Sequence, residues 1–349
     1  MLYDYCRARS IDYKKCGKLI VATQLEQRTT KLPVLQQHAM GNGVHDTQIL
    51  SAEDVKVLEP QVECVGALWS PSTGVVDSHS FMLSLLADAE EYGATLALHS
   101  NLMTATNNAS LSSNREGADE SKNHDQHDNS KDGGIYLPMD QDTWLQCRTV
   151  INSTGLWAHH VAETIHHYNH NHKGRQAKEQ GPFPIPQQYY AKGNYFRLGG
   201  CAPIPFQHLV YPLPEPGGLG VHATIDWSGQ SVKFGPDVEW ISPNVKHPED
   251  IDLRPMSERA NGFYQQIRKY WPYLPDHALV PDYAGIRPKL HHPSLLAGEN
   301  TAAFYDFQII TPDQHGIPGL IHLLGMESPG LTSSMAIGEY IAEQVTSWD

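Results

Sequence analysis

The segment Leu324-Gly325-Met326-Glu327-Ser328-Pro329-Gly330-Leu331-Thr332 contains the residues of this sequence best suited to binding a ligand. It places glycine, serine and proline directly before a predicted helix over 331–345. Backbone N–H groups at a helix start lack intrahelical partners and attract negative charge, and glycines let a planar ligand approach the main chain. The alternative interpretation is a plain helix cap with a proline near the first turn.

Two further residues, Arg287 and His222, could bind an acid and move a proton. Arg287 ends a predicted strand over 283–288, and a guanidinium keeps its charge and binds carboxylates in bidentate fashion. His222 lies in a predicted strand over 219–224, where an imidazole could accept a hydroxyl proton near neutral pH. An ordinary surface arginine and a hydrogen-bonded sheet histidine are the alternatives. The weaker candidates for the same proton transfer are His79 and His208.

Several well-defined catalytic motifs are absent from the sequence. No Gly-x-Gly-x-x-Gly element follows a predicted strand, and Gly217-Gly218-Leu219-Gly220 is interpreted as a turn between β segments. There is no Walker loop, no Gly-x-Ser-x-Gly and no His-Glu-x-x-His. The histidine-rich stretch 166–173 has no carboxylate or cysteine at ligand spacing, so we expect a flexible loop there and no metal site.

The surrounding elements predict an α/β (α+β) fold. Residues 189–243 hold short β segments separated by proline- and glycine-rich turns, which is typical of an antiparallel sheet. A strand over 148–151, a turn at 152–155 and a helix from Leu156 form the order that suits a nucleotide site. Further predicted elements include helices over 2–6, 24–40, 51–58, 80–92 and 256–270, and strands over 17–23, 95–99, 135–137, 307–310 and 320–324.

Composition and charge exclude several classes of protein. The chain has 349 residues, 40% of them hydrophobic, which is enough for a sizeable core. A formal net charge of -14 and the lack of a basic cluster argue against nucleic acid as a partner. The five cysteines form no Cys-x-x-Cys pair, and no apolar run is long enough for a transmembrane segment. Residues 107–134 are almost wholly polar and are predicted to be a disordered insertion.

Eight segments in this order resemble the L-2-hydroxyglutarate dehydrogenase family, within the superfamily of glycine oxidase and D-amino-acid oxidase. Each segment alone has little specificity, whereas the ordered set covers nearly the whole chain. The segments are residues 17–23, 74–77, 150–158, 192–196, 208–212, 219–222, 285–290 and 325–332.

The resemblance implies FAD as cofactor and a small-molecule 2-hydroxy acid as substrate, oxidised to the 2-oxo acid by hydride transfer to the flavin. It implies that Arg287 binds the substrate carboxylate, and His222 is proposed as the base that removes the hydroxyl proton. The electron acceptor is left unidentified. A eukaryotic member would be mitochondrial, and any other member cytoplasmic. The residues implied at the cofactor are Gly155, Leu156, Gly325, Glu327, Ser328, Pro329, Gly330, Leu331 and Thr332.

The resemblance also implies an incomplete FAD-binding Rossmann-like domain interleaved with an antiparallel-sheet substrate domain. Members of the family begin with a glycine-rich strand-turn-helix for the FAD pyrophosphate, so we expect this chain to be truncated at its N-terminus. Two other functions stay open, an amine oxidase of the glycine or sarcosine type and a non-catalytic truncated remnant. The FAD-binding parts are expected over 1–25, 66–106, 135–165 and 284–349, and the substrate domain over 26–65 and 185–283.

Overall fold

The computed structural model describes residues 1–103, 134–139, 143–172, 183–200, 204–213, 220–295 and 306–348. These residues form two compact units. Unit 1 contains residues 1–95, 191–240 and 252–286, and unit 2 contains residues 96–190, 241–251 and 287–349. The predicted insertion lies outside the described residues except for Gly134, as do Lys173 and residues 217–219 of the predicted turn.

Both units combine short strands with helices. The strands are β1 (Tyr13–Lys14), β2 (Lys18–Ala22), β3 (Gln48–Leu50), β4 (Gly66–Ser70), β5 (Val75–Val76), β6 (Ile135–Pro138), β7 (Trp144–Cys147), β8 (Val150–Asn152), β9 (Tyr189–Leu198), β10 (Leu209–Pro212), β11 (Ala223–Ile225), β12 (Val232–Phe234), β13 (Glu239–Trp240), β14 (Leu279–Lys289), β15 (Gln308–Ile310) and β16 (Leu320–Leu324). The α-helices are α1 (Leu2–Ala8), α2 (Leu32–Gly41), α3 (Ala52–Leu58), α4 (Ser78–Glu91), α5 (Ala158–His172), α6 (Ala260–Ile267), α7 (Pro312–His315) and α8 (Gly330–Thr346).

Unit 1 is organised around one large sheet, which we call the main sheet. Its strands follow the order β13-β9-β12-β11-β10-β2-β4-β3, and β14 pairs with β9. The pairs from β13 to β10 are antiparallel, which confirms the predicted antiparallel sheet, whereas β10 and β2 are parallel. Strands β2 and β4, which the predicted division assigns to the FAD-binding part, pair within this sheet, and the division itself stays a prediction.

One face of the main sheet is apolar, and it forms the larger hydrophobic core of unit 1. Successive strand residues point to opposite faces, so the buried residues of each strand come together on one side. They pack against α6 and the segment after it, where Tyr270 and Trp271 are buried. The residues of this apolar face are Leu19, Val21, Phe196, Val210, Ala223, Ile225, Val232 and Phe234.

Unit 2 contains a three-stranded sheet in the order β15-β16-β8. Strand β16 is fully buried at all five residues, as expected for a central strand. It is antiparallel to β15 and parallel to β8. Helix α5 packs on this sheet and on the β6–β7 hairpin, with Ala158, Ala162 and Ile165 fully buried. Among the described helices, none combines the length and apolar character that a membrane span requires.

Three local predictions are wrong. Residues 95–99 form no strand, and β6 pairs with β7 instead of with that segment. The histidine-rich stretch predicted as a loop continues α5 as far as His172, because His166 and Asn169 are buried against neighbouring elements and hold the helix despite its polar sequence. In the segment predicted as a strand over 219–224, the strand begins only at Ala223, so His222 precedes it.

Candidate functional site

In unit 2, the segment after β16 lies beside the turn that follows β8. The two strands are parallel, with His322 opposite Asn152, so their carboxyl ends meet at one edge of the sheet. Ser153 and residues 326–332 line a single cleft with a volume of about 1050 Å³. The cleft continues along α8, where its lining is largely apolar and includes Ile337, Ile341 and Val345.

The start of α8 presents backbone N–H groups to this cleft. The amide of Gly330 donates to the carbonyl of Glu327, and that of Ser333 donates to the carbonyl of Pro329. The amides of Leu331 and Thr332 have no backbone acceptor among the residues that the structure describes. No side chain caps the helix, and no acidic residue lies in its first turn. The N-terminus of α8 therefore offers free N–H donors and the positive end of the helix dipole to hydrogen-bond acceptors of a ligand.

Arg287 and Lys289 lie at the end of β14, and both contact the carboxylate of Glu327. Nη1 of Arg287 is 3.7 Å from Oε2 of Glu327, and Lys289 pairs with Oε1. The Glu327 side chain is only 12% exposed, so its charge depends on these two cations. Because the arginine contact is long and single, most of the five guanidinium donors are not taken by this carboxylate.

Gly155 and Leu156 begin a short 3₁₀-helix, Gly155–Trp157, between β8 and α5. Gly155 has a φ of +59°, which favours glycine, although no atom lies within 4 Å of the position that a Cβ would take. The carbonyl of Leu156 accepts hydrogen bonds from Nε2 of Gln188 at 2.6 Å and from the Tyr190 hydroxyl at 3.2 Å. Two hydrogen bonds thus hold the backbone after β8.

A buried hydrogen-bonded network holds the two strand ends together. The Asn152 amide nitrogen donates to the carbonyl of Ala158 at 2.7 Å, and its oxygen accepts from the Thr154 hydroxyl at 2.7 Å. These partners fix the amide orientation, so the same nitrogen must donate to Nδ1 of His322, 3.1 Å away. The proton of neutral His322 then lies on Nε2, which is 3.2 Å from Nε2 of His166.

In unit 1, the side of the main sheet opposite the apolar face carries polar and aromatic side chains as well as apolar residues such as Ile20 and Ala22, which pack in a smaller cluster with α2. We call this side the polar face. The register places Ile20 opposite Tyr211, and continuing the pairing of Val210 with Ala223 places Tyr211 opposite His222. Its members, by register and alternation, are Lys18, Tyr195, Arg197, Tyr211, His222, Thr224 and Lys233.

His222 is half-buried on the polar face, and its ring stacks on Tyr211. The ring centroids are 3.7 Å apart with an interplanar angle of 4°. Its carbonyl accepts from the amide of Gly235 at 3.0 Å, which fixes the backbone before β11. A cavity of about 570 Å³ between α2 and the sheet has a largely apolar lining that includes Val34, Leu35 and Leu213. His222 and Tyr211 also line this cavity.

The two weaker histidine candidates, His79 and His208, lie at a helix start and beside a buried carboxylate. His79 is exposed in the first turn of α4, and its amide donates to Asp77 at 3.1 Å. His208 places Nδ1 2.7 Å from Oε1 of Glu59, a carboxylate that also accepts from the amides of Gln207 and His208. Glu59 is 1% exposed, so this contact anchors the loop before β10.

The structure thus groups the predicted residues in two places. Arg287, Glu327 and the start of α8 lie together in unit 2, with Gly155 and Leu156 following the adjacent strand end. His222 belongs to unit 1. The sequence prediction gave no role to Lys289, which pairs with Glu327, because a single lysine after an apolar strand looks like an ordinary surface residue. It also missed the contact of Asn152 with His322, since their pairing spans 170 positions.

Known proteins resemble this chain over almost its whole length. It is 39% identical to the mitochondrial L-2-hydroxyglutarate dehydrogenase of Arabidopsis thaliana, over 99% of this chain and 69% of that protein. The L-2-hydroxyglutarate dehydrogenase of Salmonella houtenae is 23% identical, over 98% of this chain and 75% of its own length.

Solved structures share the fold. The FAD-bound L-alpha-glycerophosphate oxidase of Mycoplasma pneumoniae matches 96% of this chain and 74% of its own, with a TM-score of 0.70 at 20% identity. Glycine oxidase from Geobacillus kaustophilus matches 99% and 75%, with a TM-score of 0.64 at 17% identity. The family model for FAD dependent oxidoreductases matches residues 1–344. This chain therefore belongs to the family of FAD-dependent oxidoreductases.

Proposed function

We propose that this protein oxidises L-2-hydroxyglutarate, or a similar 2-hydroxy acid, to the 2-oxo acid. The observation that carries the proposal is the 39% identity with the Arabidopsis thaliana enzyme across 99% of the chain. Enzymes of one fold take different substrates, so the shared fold of the solved structures does not choose between hydroxy acids and amino acids. The sequence relationship favours the hydroxy acid.

The residues at the start of α8 fit the isoalloxazine part of FAD. When bound, FAD supplies the acceptor for the hydride of the substrate and gathers negative charge at the pyrimidine edge of its ring. The open amides of Leu331 and Thr332 and the positive end of α8 are suited to stabilising that charge. Gly330 has no atom within 4 Å of a potential Cβ, so the main chain can be approached closely there, and the φ of +68° at Gly325 turns the chain out of β16 into this segment.

Arg287 and His222 are proposed to act on the substrate. Arg287 is 28% exposed in its side chain and holds Glu327 by one long contact, so its other donors can bind the carboxylate next to the reacting carbon. His222 would accept the hydroxyl proton, because a neutral imidazole is a suitable base near pH 7. Its stacking on Tyr211 holds the ring in one orientation.

The proposal is tested by purifying the full chain with FAD and following reduction of an electron-acceptor dye. L-2-hydroxyglutarate, its D-enantiomer, glycine and sarcosine are assayed side by side. We expect turnover with the L-hydroxy acid. Turnover with glycine or sarcosine alone would establish an amine oxidase instead, and a colourless protein whose melting temperature ignores FAD would establish a non-catalytic chain.

Variants test the roles of the two residues. We expect His222→Gln to lower kcat by about 100-fold or more, the usual range for loss of a general base. Arg287→Gln should raise KM by about 10-fold or more, as for loss of a charge-assisted hydrogen bond. The matched control is His79→Gln, an exposed histidine outside the polar face. Full turnover by His222→Gln in a flavin-loaded preparation would remove this histidine from the mechanism.

A further inference from the structure

Lys18 is a half-buried cation that has no counter-ion in the described part of the chain. It lies on β2, within the polar face of the main sheet. Its Nζ is 5.4 Å from the centroid of the Tyr211 ring, and no carboxylate lies within ion-pair distance of it among the described residues. Burial lowers the pKa of Lys18, which reflects the cost of keeping this ammonium group charged without an anion.

Lys233, on the same face, is a lysine that has a carboxylate partner. Its Nζ lies 4.8 Å from the centroid of the Tyr283 ring, a contact of the same kind as that of Lys18 with Tyr211. It also lies 2.8 Å from Oδ2 of Asp282. The main sheet therefore provides a carboxylate for one of these two lysines and none for the other. A partly desolvated cation of this kind is suited to receiving an anion from outside the chain.

The position of Lys18 relates it to His222. Strand β10 carries Tyr211 and lies between β2, which carries Lys18, and the segment of His222 that leads into β11. The Tyr211 ring contacts both residues, at 5.4 Å from Nζ of Lys18 and at 3.7 Å from the His222 ring. The candidate base and the ammonium group of Lys18 thus contact the same aromatic ring from the two strands that flank β10.

This arrangement suits an acid with a second carboxylate. We propose that Lys18 binds the carboxylate remote from the reacting carbon and so makes the enzyme selective for 2-hydroxy dicarboxylic acids. This inference rests on the proposed function, in which His222 takes the hydroxyl proton of the 2-hydroxy acid. An uncharged group at the remote end of the substrate would leave Lys18 without its partner, and selectivity follows from that loss.

The test compares two L-2-hydroxy acids that share a five-carbon chain, 2-hydroxyglutarate and 2-hydroxypentanoate, which has a methyl group in place of the remote carboxylate. The measured quantity is the kcat/KM for 2-hydroxyglutarate divided by the kcat/KM for 2-hydroxypentanoate. For Lys18→Met, which keeps the unbranched apolar stem and removes the charged group, we expect this ratio to fall by about 10-fold or more, as for loss of a charge-assisted hydrogen bond. Lys18→Arg should retain most of the preference.

Lys233→Met is the matched control, because it removes a lysine from the same face that already has a carboxylate partner. It should leave the ratio within about twofold of the wild-type value. An unchanged ratio in Lys18→Met, or an equal fall in Lys233→Met, would overturn the inference. A wild-type enzyme that oxidises neither acid would overturn the proposed function instead.

Inhibition of the wild-type enzyme gives a second test that does not depend on how the variants fold. Glutarate and pentanoate differ by the same carboxylate, and neither has a hydroxyl group to oxidise. We expect glutarate to compete with the substrate at concentrations about 10-fold lower than pentanoate does. Equal inhibition by the two acids would contradict a role for Lys18 in binding the remote carboxylate.

Discussion

Mild acid should destabilise this protein through His322. This residue is fully buried in the centre of β16, where its Nδ1 accepts a hydrogen bond from Asn152. Burial, together with the neighbouring imidazoles of His166 and His315, lowers the pKa of His322 to about 3 from an ordinary value of 6.5. A second proton would have to go on Nδ1, which faces an amide nitrogen that can only donate.

The direction and size of the effect follow from this pKa. The unfolded chain binds a proton on this histidine below pH 6.5, whereas the folded chain does so only near pH 3. The free energy of unfolding should therefore be unaffected by this group above pH 6.5 and fall as the pH drops towards 3. Each pH unit in this window contributes about 1.4 kcal/mol, so the loss between pH 7.5 and pH 5 is about 2 kcal/mol.

The assay is urea unfolding at pH 7.5 and pH 5, followed by far-UV circular dichroism, for the wild type and for His322→Gln. Glutamine does not titrate, so the pH-dependent loss in the variant should be about 2 kcal/mol smaller than in the wild type. Other histidines whose pKa is lowered, His160 and His291, contribute equally to both proteins. The control is His79→Gln, which should keep the wild-type difference. Parallel pH profiles for the wild type and His322→Gln would refute the reasoning.

Three further predictions concern single side chains. Gly17→Ala should cost about 3 kcal/mol of stability, since the φ of Gly17 is +76° and a Cβ would lie 2.0 Å from Cη2 of Trp69. The control Gly43→Ala should cost only about 1 kcal/mol, because Gly43 has a φ of +82° but open space around a potential Cβ. Equal melting temperatures of the two variants would contradict this prediction. Glu59→Ala should cost about 3 kcal/mol in urea unfolding, because three donors lose their buried acceptor, and a loss under about 1 kcal/mol would argue against that anchor. Gly325→Ala should reduce the flavin content of the purified protein several-fold, because the new Cβ would lie 2.7 Å from a leucine side chain at the start of the cleft segment, and normal flavin content would show that the segment can move aside.

The elements with strong local patterns were predictable from the sequence. The prediction for β16 matches all five residues, because an apolar run bounded by glycines is typical of a buried strand. The final helix was predicted over 331–345 and spans Gly330–Thr346. The histidine-rich end of α5 was not predictable, since its polarity resembles that of a loop and only packing against the neighbouring sheet makes a helix of it.

The candidate site was predictable only in part. Local sequence suggested a ligand at the start of α8, and the structure adds the contact of Arg287 with Glu327 and the shared strand edge. The roles of Arg287 and His222 stay predictions. The polar face could not be derived, because its members come from strands whose register is set by tertiary pairing. The position of Lys18 beside Tyr211 could not be predicted either, because the two residues lie almost two hundred positions apart in the chain.

The two-sided character of the main sheet limits how this protein can change. Because side chains alternate between the two faces, inserting one residue at the start of β11 would turn Thr224 towards the hydrophobic core and Ala223 and Ile225 away from it. Exchanging one polar side chain for another on the polar face leaves the larger hydrophobic core unchanged. We therefore expect new substrate preferences to be accessible by substitution at alternate positions, whereas changes of length are tolerated in the turns and rejected within the strands.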